Sequence, residues 1–235
     1  MSTIHRREYQ PATRDIREVF AEEISALGGT VPDVFEDGER LLARAVLPPD
    51  VEIRPGDHVR AGVAVRAAGP TILVHPYTFR LVCTNGAIAA HALASRRVER
   101  CEGTSVGVPE RDVWVSTTEF RTAVRACAVP QVFATVAAEM RSATEVEADF
   151  ALQLLPALRR MPQHVVARVL PSIVARFEAG GDRSAFGLMN AVTSVARDVR
   201  EPETRWRLEE LGGTTPARLR PKPRIAPPAS VLAGV

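Results

Sequence analysis

Lysine, cysteine and aromatic residues are scarce in this 235-residue sequence, and no long apolar run occurs in it. A membrane-spanning helix needs roughly 18 or more consecutive apolar residues, so none is predicted. The first eight residues contain no apolar segment of the kind that directs secretion. The three cysteines, Cys83, Cys101 and Cys127, are too few and too widely spaced for a C-x-x-C metal motif or a disulfide framework. We therefore expect a cytoplasmic protein without a membrane partner.

Motifs typical of enzymes and of metal or cofactor sites are also missing. No pair among the five histidines has the spacing of metal ligands on one helix. The sequence contains no G-x-G-x-x-G, Walker or G-x-S-x-G pattern. We therefore predict neither metal nor cofactor, and the sequence favours a non-enzymatic protein.

What the sequence does contain is enough apolar material for a core, at 46%, and an uneven distribution of charge around a net value of +2. Only Lys222 among the 30 basic residues is lysine, and abundant arginine, alanine and valine are typical of a GC-rich genome. The residues after Gly213 carry four basic side chains and no acidic one, whereas the remaining chain has 26 basic and 28 acidic residues. A basic tail on a slightly acidic body can attract a polyanion. These tail residues are Arg218, Arg220, Lys222 and Arg224.

The first half of the chain is predicted to hold one helix and a meander of antiparallel strands. Apolar residues have helical spacing over 13–27, and their period changes to two over 30–82. Turn signals divide the second segment into about four strands. An alanine-rich segment from about Ala87 to Arg96-Arg97 predicts a further helix, and 98–108 predicts one more strand.

The second half is predicted to be helical. Capping boxes precede the first two segments, and Pro130 is placed to kink the first of them. The predicted helices are 117–142, 145–160, 163–178, 184–200 and a short one from Pro202 to Gly212-Gly213. Strands followed by helices are typical of the α+β class. We predict a meander domain at 1–112, a helical region at 113–213 packed on it, and a disordered Pro/Arg-rich tail at 214–235.

The segment Cys83-Thr84-Asn85-Gly86 has both structural and functional interpretations. Cys83 is either a buried apolar residue that closes a strand or a nucleophile at the start of a helix, where the dipole lowers a thiol pKa. His91 is its only candidate partner, but a helix would place it about 12 Å further along the axis. Asn85 and Gly86 are expected to cap the helix, and its free N–H groups are an alternative anion site.

Arginines in the predicted strands suggest a binding surface. Arg60 and Arg66 have the same parity and share a face of their strand. Arg80 lies near Tyr77 and Phe79, and a cationic face with aromatics resembles a single-strand-binding surface. The alternative is an ordinary solvated face of an antiparallel sheet. Arg96 and Arg97, at the end of the predicted helix, extend the same candidate surface.

Two segments resemble a known family. One is F-R-L-V-C-T-N-G at 79–86, which follows the meander, and the other is S-A-F-G-L-M-N-A-V-T at 184–193, which contains Asn190. Together they resemble the phage/plasmid-like family of a bacterial domain of unknown function, over most of residues 9–212. The chain departs from the family pattern at Gly86-Ala87 and in its basic tail. The resemblance implies a DNA-linked role in a phage, plasmid or prophage and no established catalytic residue.

Three functional hypotheses follow. The first is a non-enzymatic, DNA-associated protein that binds nucleic acid, including single strands, through the strand arginines, the Asn85-Gly86 segment and the tail. The second is a protein-interaction or homo-oligomeric subunit whose helical half supplies the interface. The third is an enzyme that uses Cys83 with His91. For Asn190, inside an apolar helix, we expect a structural role, with its side chain bonded to the meander.

Overall fold

The computed structural model describes residues 12–37, 40–99, 101–103, 112–114 and 117–219. Its first element, helix α1 (Ala12–Ala26), places Ile16, Phe20 and Ile24 on one buried stripe. Their spacing of four residues keeps them on one helical face. The predicted N-terminal helix is confirmed.

Six antiparallel strands form the main sheet. Their order is β1-β2-β3-β4-β5, and β6 also pairs with β4, next to β5 along the same strand. A separate two-stranded ribbon is formed by β7 and β8. The predicted meander is confirmed as β1 to β4, and the sheet extends beyond it. The bounds are β1 (Thr30–Glu36), β2 (Arg40–Arg54), β3 (Asp57–Ala68), β4 (Thr71–Arg80), β5 (Asn85–Ile88), β6 (Arg96–Glu99), β7 (Cys101–Gly103) and β8 (Asp112–Trp114).

Eight α-helices and one short 3-10 helix account for the helical part of the described residues. They are α1, α2 (Thr117–Cys127), α3 (Pro130–Thr144), α4 (Phe150–Gln153), α5 (Leu155–Leu158), α6 (Gln163–Gly180), α7 (Ala185–Asp198), α8 (Pro202–Thr214) and the 3-10 turn Pro216–Leu219. The α+β class is confirmed. Pro130 divides the first predicted segment into two helices, because it begins α3 as its first residue. None of the described helices is long and apolar enough to cross a bilayer.

Both faces of the sheet are covered by helices. Leu41, Val63 and Val74 on one face pack with α1 and α2 in a single apolar cluster. Ala64 and Tyr77 on the other face pack against Trp206 of α8. A three-layer arrangement results, in which the sheet lies between helices and strand residues of either parity are buried.

The helix predicted from Ala87 is wrong. Residues 85–88 form β5, which pairs with β4 from Tyr77↔Ile88 to Arg80↔Asn85, and turns connect it to β6. All four residues of β5 are buried. A strand buried on both sides has a continuous run of small and apolar residues, which periodicity alone does not distinguish from a helix.

The helix predicted over 145–160 is also wrong. The backbone of Val146 and Ala148 forms hydrogen bonds with residues 183–185, at the start of α7. The chain is therefore extended there, and only the single turns α4 and α5 follow. Asp149 caps α4 by accepting a hydrogen bond from the Leu152 backbone N–H.

The predicted boundaries need two further corrections. Strand β8 spans residues 112–114, so the region after 112 begins with a strand. The tail does not begin at 214, because Thr214 ends α8 and Thr215 is completely buried. The 3-10 turn then extends the packed chain to Leu219. Residues 220–235, with Arg220, Lys222 and Arg224, lie outside the described residues.

Helices α7 and α8 attach the helical half to β5. A Cβ atom at Gly213 of α8 would lie 2.1 Å from the carbonyl oxygen of Ile88, so only glycine permits this approach. Clashes with backbone cannot be relieved by a change of rotamer. The helical half is therefore packed directly on β5.

Candidate functional site

The two segments that carry the family resemblance meet in the structure. The Asn85 amide on β5 donates a hydrogen bond to Thr193 Oγ1 on α7 at 2.5 Å, across 108 positions of sequence. Thr193 also donates to the backbone carbonyls of Met189 and Asn190. Oδ1 of Asn190 has no partner among the described residues. The bond between the sheet and the helical half therefore involves Thr193, and the bond expected from Asn190 is not formed.

Asn85 and Gly86 form neither a helix cap nor an anion site. Both are buried in β5, where they pair with Arg80 and Phe79. A Cβ atom at position 86 would lie 1.7 Å from the Tyr77 hydroxyl, so glycine is required for packing. The expected free N–H groups are absent here because no helix begins at these residues.

Cys83 and His91 contact different residues and do not contact each other. Cys83 is half-buried rather than buried, and its sulfur accepts a hydrogen bond from Arg80 Nη1 at 3.1 Å. His91 Nε2 lies 2.7 Å from Glu139 Oε2 on α3. Without the predicted helix the two residues share no face, and nothing in the described structure places a base at the sulfur. Cys127 is buried, and burial raises the pKa of its thiol to about 12.

The arginine-bearing face of β3 is solvated only in part, because α8 covers it at Arg66. Arg66 donates to Glu203 of α8 at 3.0 Å. Arg80 holds Asp57 with two hydrogen bonds of 2.6 and 2.7 Å. Tyr77 is buried beneath Trp206 and cannot stack on a base from solvent. Among Arg60, Arg66 and Arg80, only Arg60 is exposed.

Arg96 and Arg97 lie on β6 rather than at a helix end. Both are exposed. Arg96 donates to the backbone carbonyls of Leu93 and Ser95 at 2.6 and 3.0 Å. Arg97 donates to Glu99 at 2.6 Å. Arg97 pairs with Leu73 of β4, which pairs in turn with Arg66 of β3, so Arg97 and Arg66 lie on the same face two strands apart.

A cavity of about 470 Å³ adjoins β4 on the face of the sheet that α8 covers. It is open to solvent and is lined by β4, by Ala90, by α5 and the residues that follow it, by α8 and by the 3-10 turn. Its polar lining consists of His75, Arg160, Arg207, Glu210, Thr214 and Arg218. Of these residues, only Arg218 was predicted from the sequence to take part in binding.

His75 is buried against this cavity without a hydrogen bond. Only 7% of its surface is exposed, and neither ring nitrogen has a partner among the described residues. The nearest carboxylate oxygen of Glu210 is 3.9 Å from Nε2, which is too long for a hydrogen bond. Burial lowers the pKa of His75 to about 4. At neutral pH the ring is therefore uncharged, and its one donor and one acceptor are both buried without a partner among the described residues.

Glu210 is held in place by the adjacent tryptophan. The Trp206 indole N–H donates to Glu210 Oε1 at 2.7 Å. Burial raises the pKa of Glu210, against the effect of the Trp206 hydrogen bond and of nearby arginines. The carboxyl group therefore retains a proton to a higher pH than an exposed glutamate does.

Three arginines give the cavity its positive charge. The side chains of Arg160 and Arg207 are exposed and make no ion pair or hydrogen bond with another described residue. Arg218 is half-buried and donates to the Gln153 carbonyl. Its pKa is lowered, first by burial and then by the positive charge of Arg160. A bound anion would relieve this repulsion, so the cavity suits a negatively charged group.

No cluster of three or more metal-binding side chains occurs in the part of the chain that the structure describes. Comparison with family models, with curated proteins and with solved structures finds no match to this chain.

Proposed function

We propose that this protein binds nucleic acid at the arginine-lined cavity and the basic tail that follows it. The observation that carries the proposal is the group Arg160, Arg207 and Arg218, of which the first two have no anionic partner in the described structure. The sequence continues from Arg218 with Arg220, Lys222 and Arg224 and no acidic residue. A DNA-associated role in a phage, plasmid or prophage, which the family resemblance implies, is part of the same proposal.

The contrast with the sheet arginines supports this location. Arg66 and Arg80 are neutralised by carboxylates of the same chain, so a phosphate would have to displace these ion pairs. Arg160 and Arg207 require no such displacement. Guanidinium groups bind phosphate oxygens through paired hydrogen bonds, and release of counterions makes such binding strongly dependent on salt.

Substitution of both free arginines, Arg160→Ala/Arg207→Ala, is expected to weaken binding of a short single-stranded oligonucleotide by about tenfold or more. It should also reduce the slope of log affinity against log salt by about 1 to 2, since each lost phosphate contact removes about 0.7 to 0.9. Fluorescence anisotropy between about 50 and about 200 mM salt measures both effects. Truncation after Leu219 is expected to flatten the slope further.

Arg159→Ala is the matched control, because Arg159 is an exposed neighbour that does not line the cavity. It should leave both affinity and slope close to those of the unmodified protein. Equal losses in the control and the double variant would contradict a specific site. Absence of binding to single- and double-stranded DNA at low salt would contradict the proposed function itself.

The alternative of a protein-interaction or homo-oligomeric subunit is favoured by one observation. Leu93 is 98% exposed and borders a groove of about 490 Å³ that Ala92, Val132 and Val136 also line. An isolated exposed leucine is ordinary, but one beside an apolar groove is typical of a contact surface. If a second copy binds there, Leu93→Asp converts the oligomer to a monomer in light scattering; a monomeric mass for the unmodified protein would contradict a homo-oligomer.

A further inference from the structure

The groove beside Leu93 lies between the turn that connects β5 to β6 and helix α3, and its lining is mainly aliphatic. Its volume is about 490 Å³. The charged residues that border it, His91 and Glu139, bond to each other at 2.7 Å. The groove therefore suits an apolar, uncharged occupant. Its aliphatic lining consists of Ala92, Leu93, Ala94, Val132, Val136 and Ala217.

Leu93 is directed outward by a tight turn of the backbone. The Ser95 N–H donates to the Ala92 carbonyl at 2.9 Å, which closes a four-residue turn with Leu93 at its second position. The Leu93 side chain is 98% exposed. An occupant of the groove that also covers Leu93 would remove this apolar surface from water without any movement of the turn.

The described chain ends beside this groove. The 3-10 turn packs against α3 and contributes Ala217 to the lining of the groove. The sequence that follows the turn, residues 220–235, therefore starts from the edge of the groove. Fully extended, the chain from Ala217 to Ile225 spans at most roughly 30 Å, which exceeds the dimensions of a groove of this volume. Residues from Ile225 onward can therefore reach any part of it.

Charge distinguishes residues 225–235 from the other long segments outside the described residues. They contain no charged residue, and Ser230 supplies their only hydroxyl group. Residues 1–11 and 104–111 both contain arginine and glutamate. An uncharged segment enters an apolar groove without the cost of removing a charge from water. The branched apolar side chains that it offers are Ile225, Val231, Leu232 and Val235.

We propose that residues 225–235 dock in the groove of their own chain, with branched apolar side chains covering Leu93 and Val136. The same chain is favoured over a second copy, because a short tether raises the effective concentration of the segment to about the millimolar range. Pro227-Pro228 limits the conformations that docking has to restrict. The docked segment closes the groove to a second copy of the protein. This inference does not rest on the proposed function, because it concerns a different cavity.

Photo-crosslinking of the full-length protein tests the proposal. The variants Gln131→p-benzoylphenylalanine and Thr135→p-benzoylphenylalanine place the reactive group at exposed positions along the groove. After irradiation, mass spectrometry of the monomeric band should find cross-links to residues 225–235. Leu152→p-benzoylphenylalanine is the matched control, since Leu152 is 56% exposed but does not line the groove. It should give no such cross-link.

Two double substitutions in the tail, made in the Thr135 variant, separate apolar docking from electrostatic attraction. Ile225→Asp/Leu232→Asp should lower the yield of the cross-link by about tenfold or more, because a carboxylate is not readily buried in an apolar groove. Arg220→Ala/Arg224→Ala should leave the yield unchanged, because the charged residues of the groove already bond to each other.

Cross-links from the groove positions to residues 1–11 or 104–111 instead, or between two copies in a dimeric band, would overturn the proposal. Absence of any cross-link to residues 225–235 from both positions would do the same, as would an equal yield from the Leu152 control. Failure of the proposed function gives a different result, since absence of DNA binding at low salt leaves these cross-links unchanged.

Discussion

Arg44→Met is expected to destabilise the folded protein by roughly 3 to 5 kcal/mol, because it leaves a buried carboxylate without its main partner. The Arg44 and Glu209 side chains are only 3% and 2% exposed, and Arg44 Nε lies 2.5 Å from Glu209 Oε2. Their bond joins β2 to α8 across the covered face of the sheet. It is therefore one of the contacts that hold α8 on the sheet.

The surrounding charges place the expected loss toward the lower end of this range. Arg205 donates to Glu209 at 3.1 Å and would remain after the substitution. Asp33, 3.1 Å from Arg44 and 2.8 Å from Arg205, would also keep one cation. The loss should still far exceed that of a surface pair, because Glu209 stays buried whether or not Arg44 is present.

Urea unfolding followed by circular dichroism measures the change. Arg97→Met is the matched control, since the Arg97–Glu99 pair is exposed and such pairs contribute about 0 to 1 kcal/mol. The double variant Arg44→Met/Glu209→Leu should recover most of the loss, because an apolar replacement of a buried ion pair is often neutral. A loss below about 1 kcal/mol in Arg44→Met would contradict this account of the α8 contact.

His75→Leu is expected to have the opposite effect and to stabilise the protein without ligand. Removal of two buried nitrogens that lack partners should stabilise the fold by about 1 kcal/mol or more at pH 7. The gain should grow as the pH falls. Below about pH 6.5 the histidine of the unfolded chain takes up a proton, while in the folded state, with a pKa of about 4, it does not.

The direction of this pH dependence follows from the linkage between proton binding and folding. A pKa that is lower in the folded state gives stability that is present above the unfolded pKa and is lost as the pH falls toward the folded pKa. The unmodified protein should therefore lose ~3 kcal/mol between about pH 6.5 and pH 4, at about 1.4 kcal/mol per pKa unit. His75→Leu should not show this loss, so its advantage should reach ~4 kcal/mol near pH 4.

The other ionisable groups that face the cavity are present in both proteins, so their contribution to the pH dependence of stability cancels in the comparison. These groups are Glu210, Arg160, Arg207 and Arg218. Glu210 acts in the opposite direction, because a raised pKa stabilises the folded state at low pH and this effect is lost as the pH rises. His164→Leu, at an exposed position of α6, is the control and should show no gain at either pH. If the stability of His75→Leu falls between about pH 6.5 and pH 4 as much as that of the unmodified protein, the folded state does not keep His75 buried and uncharged.

Local patterns were sufficient to predict the elements whose faces differ in polarity. The stripe of Ile16, Phe20 and Ile24 identifies α1, and Pro202 with Gly212-Gly213 delimits α8 to within two residues. The same reasoning is insufficient at Asn85–Ile88, where a strand buried on both sides has no alternation. At residues 145–148, hydrogen bonds to the start of α7 override a local capping signal.

The residues that line the candidate cavity could be predicted from the sequence only in part. The excess of basic residues that begins at Arg218 was evident from composition, and Arg218 does line the cavity. His75, however, had no distinguishing neighbours in the sequence, and Arg160 and Arg207 were two arginines among many. Their importance depends on which guanidinium groups are neutralised by carboxylates far away in the chain, and on which histidine is enclosed.

The sequence by itself therefore determined the fold class, the meander and most helices, because these depend on periodicities and end signals within a few residues. Only the tertiary structure decided that α8 covers Arg66 and that Cys83-Thr84-Asn85-Gly86 leads into a buried strand. It alone brought His75, Arg160, Arg207 and Arg218 around one cavity. These outcomes depend on burial and on charge pairing between distant elements, and neither has a local signature.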